Sequence, residues 1–423
     1  MGARAGIVVT GTEVLTGRVT DRNGPWLADR LRQAGVDIAY ITVVGDRPAD
    51  LREALAFLAG SGVDLIITSG GLGPTADDLT ADVVGAFQGR ASRLDVELET
   101  HIAAIIDRLV AGRGWRLDPD ATAAGTRKQA IVPEGADVLA PVGTAPGLVV
   151  PPAEGRAGPP VVVLPGPPRE LQGMWNAVLD SAIVKAALVG REELRQQTMR
   201  LWGTPESELA ATMRTHEDVL GDLEITTCLR SGELEIVTRY GPSAQGAYDA
   251  FADVIKTTYA TTLFSSDGRT IDEIVAAILL ERGLTIATAE SCTAGLLAGR
   301  LTDLSGSSDY VLGGLVTYSN EAKHDLAGVS TELIERAGAV SAEVAQALAD
   351  GARARLGADV GVGITGIAGP TGGTPDKPVG LVHFCVSNGT TRTPFHVVIP
   401  GGRREVRDRA VLVAMHLIRA LLT

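Results

Sequence analysis

The amino-acid sequence predicts an α/β protein in which two α/β domains are joined by a small α+β module. Residues 4 to about 170 and 270 to 423 each alternate β-branched apolar runs with helical periodicity, a pattern typical of βαβ units and a largely parallel sheet. Between them, shorter strands alternate with two helical segments. The polar, turn-rich segment Ser265–Arg269 marks the last boundary. The predicted division is therefore 1–170, 171–264 and 265–423.

Composition limits the class of protein. With 423 residues and 45% apolar content, the chain can bury two or three cores. A formal charge of −13 argues against a general nucleic-acid surface, which needs clustered Lys and Arg. The three cysteines are far apart in sequence, which favours a reducing cytoplasm. Neither a signal peptide nor an apolar run of about 18 residues is found, so we expect neither secretion nor a membrane span.

The elements of the first domain follow from its apolar runs. Pro48 suits the first turn of a helix, and Gly35 suits a helix end. We expect strands at Gly6–Thr10, Ile38–Val44, Val63–Thr68 and Val161–Leu164, and helices at Pro25–Gln33, Ala49–Ala59 and Ser92–Leu109.

The same patterns define the rest of the chain. In the module we expect strands at Gln197–Trp202, Leu223–Thr227 and Leu234–Thr238, and helices at Glu206–Met213 and Ala244–Thr257. In the last domain we expect strands at Leu284–Thr288, Val311–Tyr318, Val360–Ile364, Val379–Val386 and Arg392–Ile399, and helices at Ile271–Glu281, Leu296–Thr302, Ala342–Leu356 and from Arg403.

A glycine-rich segment, residues 68–80, follows a predicted strand and leads into a helix. Its glycines, Gly70, Gly71 and Gly73, allow backbone N–H groups to converge on an anion at the helix N-terminus. Asp77 and Asp78 supply the adjacent carboxylates that Mg²⁺ accepts when it shares a phosphate with a substrate. The segment therefore predicts a phosphate and metal site, and the alternative is a plain strand-to-helix turn.

Other polar residues lie at predicted strand ends, where open α/β sheets bind ligands. Glu13, Asn23 and Asp46 outline one candidate crevice, although each is also a normal cap or turn residue. The proline-containing segments 141–147 and 165–170 are expected to form rigid loops at its rim, or simple connectors.

The last domain contains a candidate nucleophile. Ser291 directly follows a predicted strand, where neighbouring N–H groups can form an oxyanion hole; the alternative is N-capping by Ser291 or Thr293. Tyr318 and Lys323 flank a strand-to-helix junction, and a desolvated lysine can act as the base for a serine. The glycine-rich segment 363–373 suggests close backbone approach to a phosphate or ribose.

The motifs of the first domain resemble the CinA family, whose N-terminal domain is similar to the molybdopterin-binding fold. The resemblance implies a pyrophosphatase that acts on ADP-ribose and uses a divalent metal: Mg²⁺, Mn²⁺ or Co²⁺. Its implied metal residues are Asp77, Asp78 and Glu13. The substrate-binding residues that it implies here are Gly70, Gly71, Gly73, Thr75, Asn23, Gly143 and Thr144. Ala140 departs from the family, in which many members have Asn.

The last domain resembles the C-terminal CinA domain, which also exists alone as a nicotinamide mononucleotide (NMN) deamidase. The matching motifs include 289–293, 316–323, 365–370 and 377–380. By position, the resemblance implies Ser291 as nucleophile, Tyr318 and Lys323 as its activators, and Arg403 as the substrate-orienting arginine, with Arg404 or Arg407 as alternatives. The substrate-binding residues implied here are Thr293, Gly295, Thr365, Gly366 and Gly369. Ala294 replaces the usual glycine, and no metal is expected in this domain.

Together these features predict a bifunctional hydrolase of pyridine-nucleotide turnover, with NMN and ADP-ribose as its small-molecule partners. We expect a cytoplasmic homodimer without direct nucleic-acid or membrane contacts. Two alternatives remain: a molybdopterin-handling protein, and a non-catalytic scaffold linked to competence or DNA damage. The family resemblance also allows a KH-like module, but no Gly-x-x-Gly loop is evident between residues 171 and 262.

Overall fold

The β-branched runs of the first 195 residues build a six-stranded sheet. Across the sheet the strands follow the order Asp37–Val44, Arg4–Thr10, Leu65–Ser69, Val161–Leu164, Gly147–Val150 and Asp137–Leu139. The computed structural model describes residues 2–113, 117–190, 194–230 and 232–423. It divides into one unit of Met1–Arg195 with Gly241–Ser243 and a second of Gln196–Tyr240 with Ala244–Thr423. The elements of the first unit are β1 (Arg4–Thr10), α1 (Thr12–Leu15), α2 (Asn23–Gln33), β2 (Asp37–Val44), α3 (Pro48–Gly60), β3 (Leu65–Ser69), α4 (Thr80–Gln88), β4 (Ser92–Leu94), α5 (Val96–Arg113), α6 (Pro119–Gln129), β5 (Ile131–Pro133), β6 (Asp137–Leu139), β7 (Gly147–Val150), β8 (Val161–Leu164), α7 (Pro168–Asp180) and α8 (Ala182–Ala187).

The parallel part of this sheet positions the glycine-rich segment. Strands β2, β1, β3 and β8 are parallel, whereas β7 and β6 return antiparallel. Strands β1, β3, β7 and β8 are almost entirely buried, as expected for strands covered on both faces. Because β1 and β3 are parallel neighbours, the loops that follow Thr10 and Ser69 leave the sheet at the same edge.

One predicted helix is shorter than expected at its start. Ser92–Leu94 forms strand β4, which pairs with β5, and the helix begins at Val96. Asp95 ends the strand and caps the helix, because its carboxylate accepts the N–H of Leu98 at 3.0 Å. The start of the helix predicted over Ser92–Leu109 was therefore wrong, because residues 92–94 form a strand.

The first unit continues past the predicted division at residue 170. Helix α7 presents Leu171, Met174, Trp175 and Val178 to the core that also contains Ile7 of β1. Burying these large apolar side chains ties α7 to the first sheet, because each stabilises the fold by roughly 1.5–3 kcal/mol.

The second unit contains two sheets. Its elements are β9 (Arg195–Trp202), α9 (Glu206–Thr215), α10 (Glu217–Leu220), β10 (Glu224–Arg230), β11 (Glu233–Tyr240), α11 (Gln245–Thr258), β12 (Leu263–Ser265), α12 (Ile271–Arg282), β13 (Ile286–Glu290), α13 (Leu296–Leu301), β14 (Val311–Val316), α14 (Asn320–Ala327), α15 (Thr331–Ala337), α16 (Ala342–Leu356), β15 (Val360–Gly366), β16 (Leu381–Ser387), β17 (Arg392–Val398) and α17 (Arg403–Leu422). The small sheet has the order β10-β11-β9-β12, and the large one has the order β14-β13-β15-β16-β17. The predicted division at residues 264 and 265 falls inside this unit.

Close packing holds the centre of the large sheet. Strands β14, β13 and β15 are parallel, and β16 and β17 are antiparallel additions. Helix α16 lies so close to β15 that a Cβ atom at Gly361 or Gly363 would stand 2.0 or 2.1 Å from a helix carbonyl oxygen. The mixed α/β architecture agrees with the predicted fold class. Among the helices of the described residues, none is both long and apolar enough to cross a membrane.

Candidate active sites

The predicted nucleophile, Ser291, is the first residue after β13. Its N–H donates to the carbonyl oxygen of Ile364 in the neighbouring strand β15 at 2.9 Å, which extends the ladder by one residue and holds the serine in place. Ser291 is only 8% exposed, so its hydroxyl lies in a partly desolvated position. The hydrogen bond to β15 therefore fixes the backbone of Ser291 at the end of β13.

Lys323 contacts this serine directly. It belongs to α14, which Ser319 caps by accepting the N–H of Ala322 at 3.1 Å. Its Nζ lies 3.1 Å from Ser291 Oγ and 3.0 Å from the carbonyl oxygen of Thr317. Lys323 is 2% exposed, and burial lowers its pKa despite the opposing negative charges. Loss of the ammonium proton is thereby made easier, which is what a base for Ser291 requires.

A buried carboxylate shapes the loop between Ser291 and α13. Glu290, the last residue of β13, is fully buried. It accepts the N–H groups of Gly295, Leu297 and Ala298 at 2.9 to 3.0 Å and the hydroxyl of Thr288 at 3.0 Å. Its negative charge satisfies unpaired donors at the start of α13 and folds residues 291–295 back over the strand.

The same loop contains a residue in left-handed backbone geometry. Ala294 has a φ of 51°, and Gly295 follows with a φ of 90°. Left-handed conformations cost an alanine about 1 to 2 kcal/mol because its Cβ approaches a carbonyl oxygen. Alanine is thus accommodated in left-handed backbone here, at a cost in strain.

The structure separates the three candidate arginines at the start of α17. Arg403 donates to the hydroxyl of Tyr318 and to the carbonyl oxygen of Gly369, each at 2.9 Å. Arg404 pairs with Asp408 on an exposed face. Arg407 donates to the carbonyl oxygens of Cys292 and Thr293, each at 3.0 Å. Arg403 therefore meets the predicted tyrosine and glycine loop, and Arg407 supports the backbone that follows Ser291.

Tyr318 differs from Lys323 in its relation to the nucleophile. Its side chain is exposed and its hydroxyl receives the Arg403 guanidinium, whereas only its backbone oxygen contacts Lys323 Nζ, at 3.3 Å. Tyr318 and Arg403 thus form one exposed pair, and Lys323 and Ser291 form a second, buried pair.

The glycine-rich loop of this unit is anchored by Thr365. This residue is 1% exposed, and its hydroxyl donates to the carbonyl oxygen of Ala339 at 2.8 Å. A Cβ at Gly366 would come within 2.7 Å of the Leu381 carbonyl oxygen, so the loop packs tightly on β16. Thr293 is fully buried beside the nucleophile.

Cys292, next to Ser291, is not arranged as a competing nucleophile. Burial raises the pKa of its thiol to about 12, and the nearby carboxylate of Glu290 adds to the effect. The reactive thiolate is therefore absent at neutral pH.

The glycine-rich segment of the first unit adopts a compact loop after β3. Gly70 has a φ of 109° and lies against the carbonyl oxygen of Thr10, where a Cβ would be 2.5 Å away. The N–H of Thr80, the first residue of α4, donates to the Gly71 carbonyl oxygen at 3.1 Å. The loop therefore returns to the start of α4.

The two adjacent aspartates of this segment are joined through Thr75. Its hydroxyl oxygen lies 2.6 Å from an Asp77 carboxylate oxygen and 2.5 Å from an Asp78 carboxylate oxygen, so one proton is shared between the two, and its N–H donates to Asp78 at 3.0 Å. The Thr75 hydroxyl is the first cause that lowers the pKa of Asp77, so this carboxyl group stays ionised. Lys128 of α6 donates to the Thr75 carbonyl oxygen. Two adjacent carboxylates with oxygens left over fit a Mg²⁺ ion that also takes substrate phosphate and water.

Glu13, the third predicted metal ligand, is not grouped with Asp77 and Asp78. Within the described ranges, no three His, Cys, Asp or Glu side chains are arranged to hold a metal, so Glu13 does not complete such a cluster. Asp46 lines a small pocket with Asp77, Thr10 and Thr80, and its carboxylate accepts the N–H of Thr12 at 2.9 Å.

The other predicted binding residues surround the loop. Asn23 is 7% exposed and donates to Ser69 Oγ at 2.8 Å and to the Gly166 carbonyl oxygen at 2.7 Å. Gly143 faces Glu170, since a Cβ at this glycine would stand 2.3 Å from the carboxyl carbon. Thr144 lines a cavity of about 370 Å³ that also reaches Pro74 of the loop.

Several residues of these sites escaped the sequence analysis. Glu290 lay inside the motif 289–293, where a carboxylate directly before the serine was the only signal. Arg407 was considered only as an alternative to Arg403, and its support of the backbone after Ser291 was not foreseen. Lys128 is distant in sequence from the loop that it contacts. Glu170, half-buried in α7, has its pKa raised by desolvation.

Comparison with known proteins agrees with this two-part organisation. Residues 6–185 match the model of a probable molybdopterin binding domain, and residues 268–422 match the CinA C-terminal domain. A CinA-like protein from Mycolicibacterium gilvum is 59% identical over 430 residues, covering 100% of this chain and 99% of the relative. One from Mycobacterium tuberculosis is 55% identical over 430 residues, covering 100% of this chain and 98% of the relative.

These matches define a protein that combines a molybdopterin-binding-like domain with a second α/β domain. The chain belongs to the CinA family. A solved competence/damage inducible protein from Agrobacterium tumefaciens is 42% identical, covers 36% of this chain and 96% of its own, and has a TM-score of 0.35.

Proposed function

We propose that this protein is a bifunctional nucleotide hydrolase. Its second unit is a serine-dependent NMN deamidase that releases nicotinic acid mononucleotide and ammonia, and its first unit is a metal-dependent ADP-ribose pyrophosphatase. The main support for the deamidase assignment is the contact of 3.1 Å between the buried Lys323 Nζ and Ser291 Oγ. A lysine that loses its proton easily, placed on a serine hydroxyl, supports nucleophilic catalysis without a metal.

In the first half of the reaction, Ser291 Oγ attacks the carboxamide carbon of nicotinamide and Lys323 Nζ takes the hydroxyl proton. The carbonyl oxygen becomes an oxyanion. The C–N bond then breaks, Lys323 returns the proton to the departing nitrogen, and ammonia leaves an acyl-enzyme ester on Ser291. Lys323 ends this half neutral, ready for the next step.

In the second half, water attacks the ester carbon and Lys323 accepts one of its protons. Collapse of this intermediate breaks the ester bond, and the same proton returns to Ser291 Oγ. Nicotinic acid mononucleotide leaves, and the enzyme is restored. One base thus serves both halves.

The oxyanion needs N–H donors that are not already used. Those of Ser291 and Gly295 are taken by Ile364 and Glu290. We assign the oxyanion to the N–H groups between them, which Arg407 supports by holding the carbonyl oxygens of Cys292 and Thr293.

The nucleotide phosphate needs a cation as its partner. Arg403 is suited to it, because its present partners are neutral oxygens of Tyr318 and Gly369 and a phosphate is the stronger acceptor. We propose Tyr318 as a partner that orients Arg403, and Thr365, Gly366 and Gly369 as the loop that lies along the ribose.

For the first unit, Asp77 and Asp78 would hold the divalent ion, with Thr75 orienting both carboxylates. A bound Mg²⁺, Mn²⁺ or Co²⁺ neutralises pyrophosphate charge and lowers the pKa of a bound water. Gly71 and Gly73 direct backbone N–H groups to the phosphates, and Gly70, whose own N–H donates to the Leu164 carbonyl oxygen at 2.9 Å, allows the turn. Asn23, Gly143 and Thr144 contact the rest of ADP-ribose. Glu13 remains a proposed contributor outside the aspartate pair.

The decisive experiment measures ammonia release from NMN by the whole protein in the presence of EDTA. We expect release by the wild type and its loss in Ser291→Ala, with Ser305→Ala, an exposed serine of the same unit, as the matched control. Wild-type protein that releases no ammonia, or a Ser291→Ala variant as active as wild type, would disprove the deamidase assignment.

A molybdopterin-handling role is the second candidate for the first unit, and the match of residues 6–185 to a molybdopterin binding domain favours it. Absence of metal-dependent ADP-ribose hydrolysis, together with saturable binding of a pterin, would select this alternative. A non-catalytic scaffold would instead show neither hydrolytic activity.

We also propose a cytoplasmic homodimer that binds small nucleotides and not nucleic acid. Free thiols at Cys228, Cys292 and Cys385 suit a reducing compartment. Light scattering tests the dimer, and salt-sensitive retention on DNA would contradict the absence of nucleic-acid binding.

A further inference from the structure

The second unit contains another cavity, of about 380 Å³, away from Ser291. Its walls come from β17, the C-terminal half of α17 and the end of β9. The side chains that matter are Trp202, Phe395, Val397, Arg409, His416 and Arg419. Its volume is in the range of small-ligand sites, which begin at about 300 Å³.

Two arginine side chains bring positive charge to the cavity. Arg409 and Arg419 line it, and no carboxylate is among its lining residues. Within the described part of the chain, neither guanidinium belongs to an ion pair. Burial lowers the pKa of Arg419, which also lies over the Phe264 ring with its guanidinium carbon 5.9 Å from the ring centre. Partly desolvated cations of this kind are stabilised by an anion.

Polar atoms in the same wall lack partners. His416 is 3% exposed, its Nε2 lies 2.7 Å from Glu233 Oε1, and its ring stacks on Trp202 with centroids 4.1 Å apart. Its Nδ1 and the Nε of Arg419 are buried without a hydrogen-bond partner among the described residues. Buried polar atoms without partners are uncommon and costly. Both atoms lie behind the cavity surface, so a ligand would meet Arg419 through the part of its side chain that lines the cavity.

We propose that this cavity binds a small planar aromatic anion. The ring lies against the apolar wall of Trp202, Phe395 and Val397, and the anionic group meets Arg409 and Arg419. The site is additional to the two proposed catalytic sites and does not depend on their assignments. Its occupant would contact α17, the helix whose first residue is Arg403.

Calorimetric titration of the whole protein with 2-naphthoate tests the proposal. We expect one saturable site on the wild type, and a dissociation constant at least about tenfold larger in both Arg409→Gln and Arg419→Gln, because each removes a charged hydrogen bond to the carboxylate. The neutral 2-naphthamide should bind at least about tenfold more weakly than 2-naphthoate. Arg282→Gln makes the same charge change at an exposed helix end and should bind like the wild type.

Absence of saturable 2-naphthoate binding to the wild type would overturn the proposal. So would an unchanged dissociation constant in Arg409→Gln, or equal affinities for 2-naphthoate and 2-naphthamide. Arg419 lies over the Phe264 ring and has a buried Nε, so its replacement could disturb the fold. Circular dichroism must therefore show that Arg419→Gln is folded. If Arg419→Gln is not folded, the dissociation constant of Arg409→Gln for 2-naphthoate tests the proposal by itself.

Discussion

At the scale of single residues, the geometry around Ser291 depends on the protonation of one amine. Lys323 Nζ lies near the carbonyl oxygens of Thr317, Tyr318 and Ser319 as well as the serine hydroxyl. An ammonium group has three protons for these acceptors, whereas the neutral amine has two and a lone pair for the Ser291 proton. The proposed chemistry therefore requires the neutral form.

The pH dependence of ammonia release follows from this requirement. Because burial lowers the pKa of Lys323, the neutral fraction of the folded enzyme rises at lower pH than it would for an exposed lysine, which titrates near about 10.4. We expect kcat/KM for NMN to increase with pH and reach a plateau, with its inflection below that value. Lys323→Met should lower kcat by at least about 100-fold at every pH. A profile that is flat between pH 6 and 10 would contradict the assignment.

Ala294 permits a separate test of backbone strain. Replacing it with glycine removes about 1 to 2 kcal/mol of left-handed strain but adds about 0.4 to 1 kcal/mol of unfolded-state entropy. We expect Ala294→Gly to leave stability unchanged or raise it by up to about 1.6 kcal/mol, measured by urea denaturation. Ala354→Gly, on the exposed side of α16, should destabilise by about 1 kcal/mol. Equal losses in both variants would show that Ala294 is unstrained.

At the scale of elements, the connection between β13 and α13 organises the nucleophile. Glu290 ends the strand and binds N–H groups at the start of the helix, while Ser291 continues the pairing with β15. One carboxylate thus couples the strand end to the helix start.

Glu290→Gln tests this coupling. The glutamine NH₂ group would face backbone N–H donors, so we expect a loss of about 1 to 3 kcal/mol in unfolding free energy. Ammonia release should fall even under conditions where the variant is fully folded, because the loop after Ser291 is no longer held. The control is Glu281→Gln, at an exposed position of α12. Wild-type kcat in folded Glu290→Gln would exclude a positioning role.

Element prediction worked best where apolar periodicity was long and bounded by clear signals. Helix α16 and strand β8 have the predicted limits, since Ser341 caps the helix and Gly357 ends it in a left-handed conformation. It was wrong over Ser92–Leu94, because pairing with β5 depends on a partner about 40 residues away. Local periodicity contains no information about such a partner.

At the scale of the whole molecule, the two proposed activities belong to separate units of the chain. Asp77→Asn and Asp78→Asn each remove one negative charge from the first unit without touching Ser291. We expect each to lower metal-dependent ADP-ribose hydrolysis by at least about 100-fold while ammonia release from NMN stays within about twofold of wild type. EDTA should have the same selective effect, and loss of both activities would contradict independent sites.

The chain by itself determined the α/β class and placed Ser291 at a strand end, because strand-end positions follow from hydrophobic periodicity. The family resemblance implied Lys323 as its activator, and the contact between the two side chains arises only in the folded protein. Tertiary structure decided the rest. It assigned Arg403 to Tyr318 and Arg407 to the nucleophile loop, and it buried Glu290 against N–H groups of α13. It also left Glu13 outside the aspartate pair and placed α7 on the first core. Such choices depend on contacts between segments far apart in sequence, and their distances and burial arise only when the chain folds.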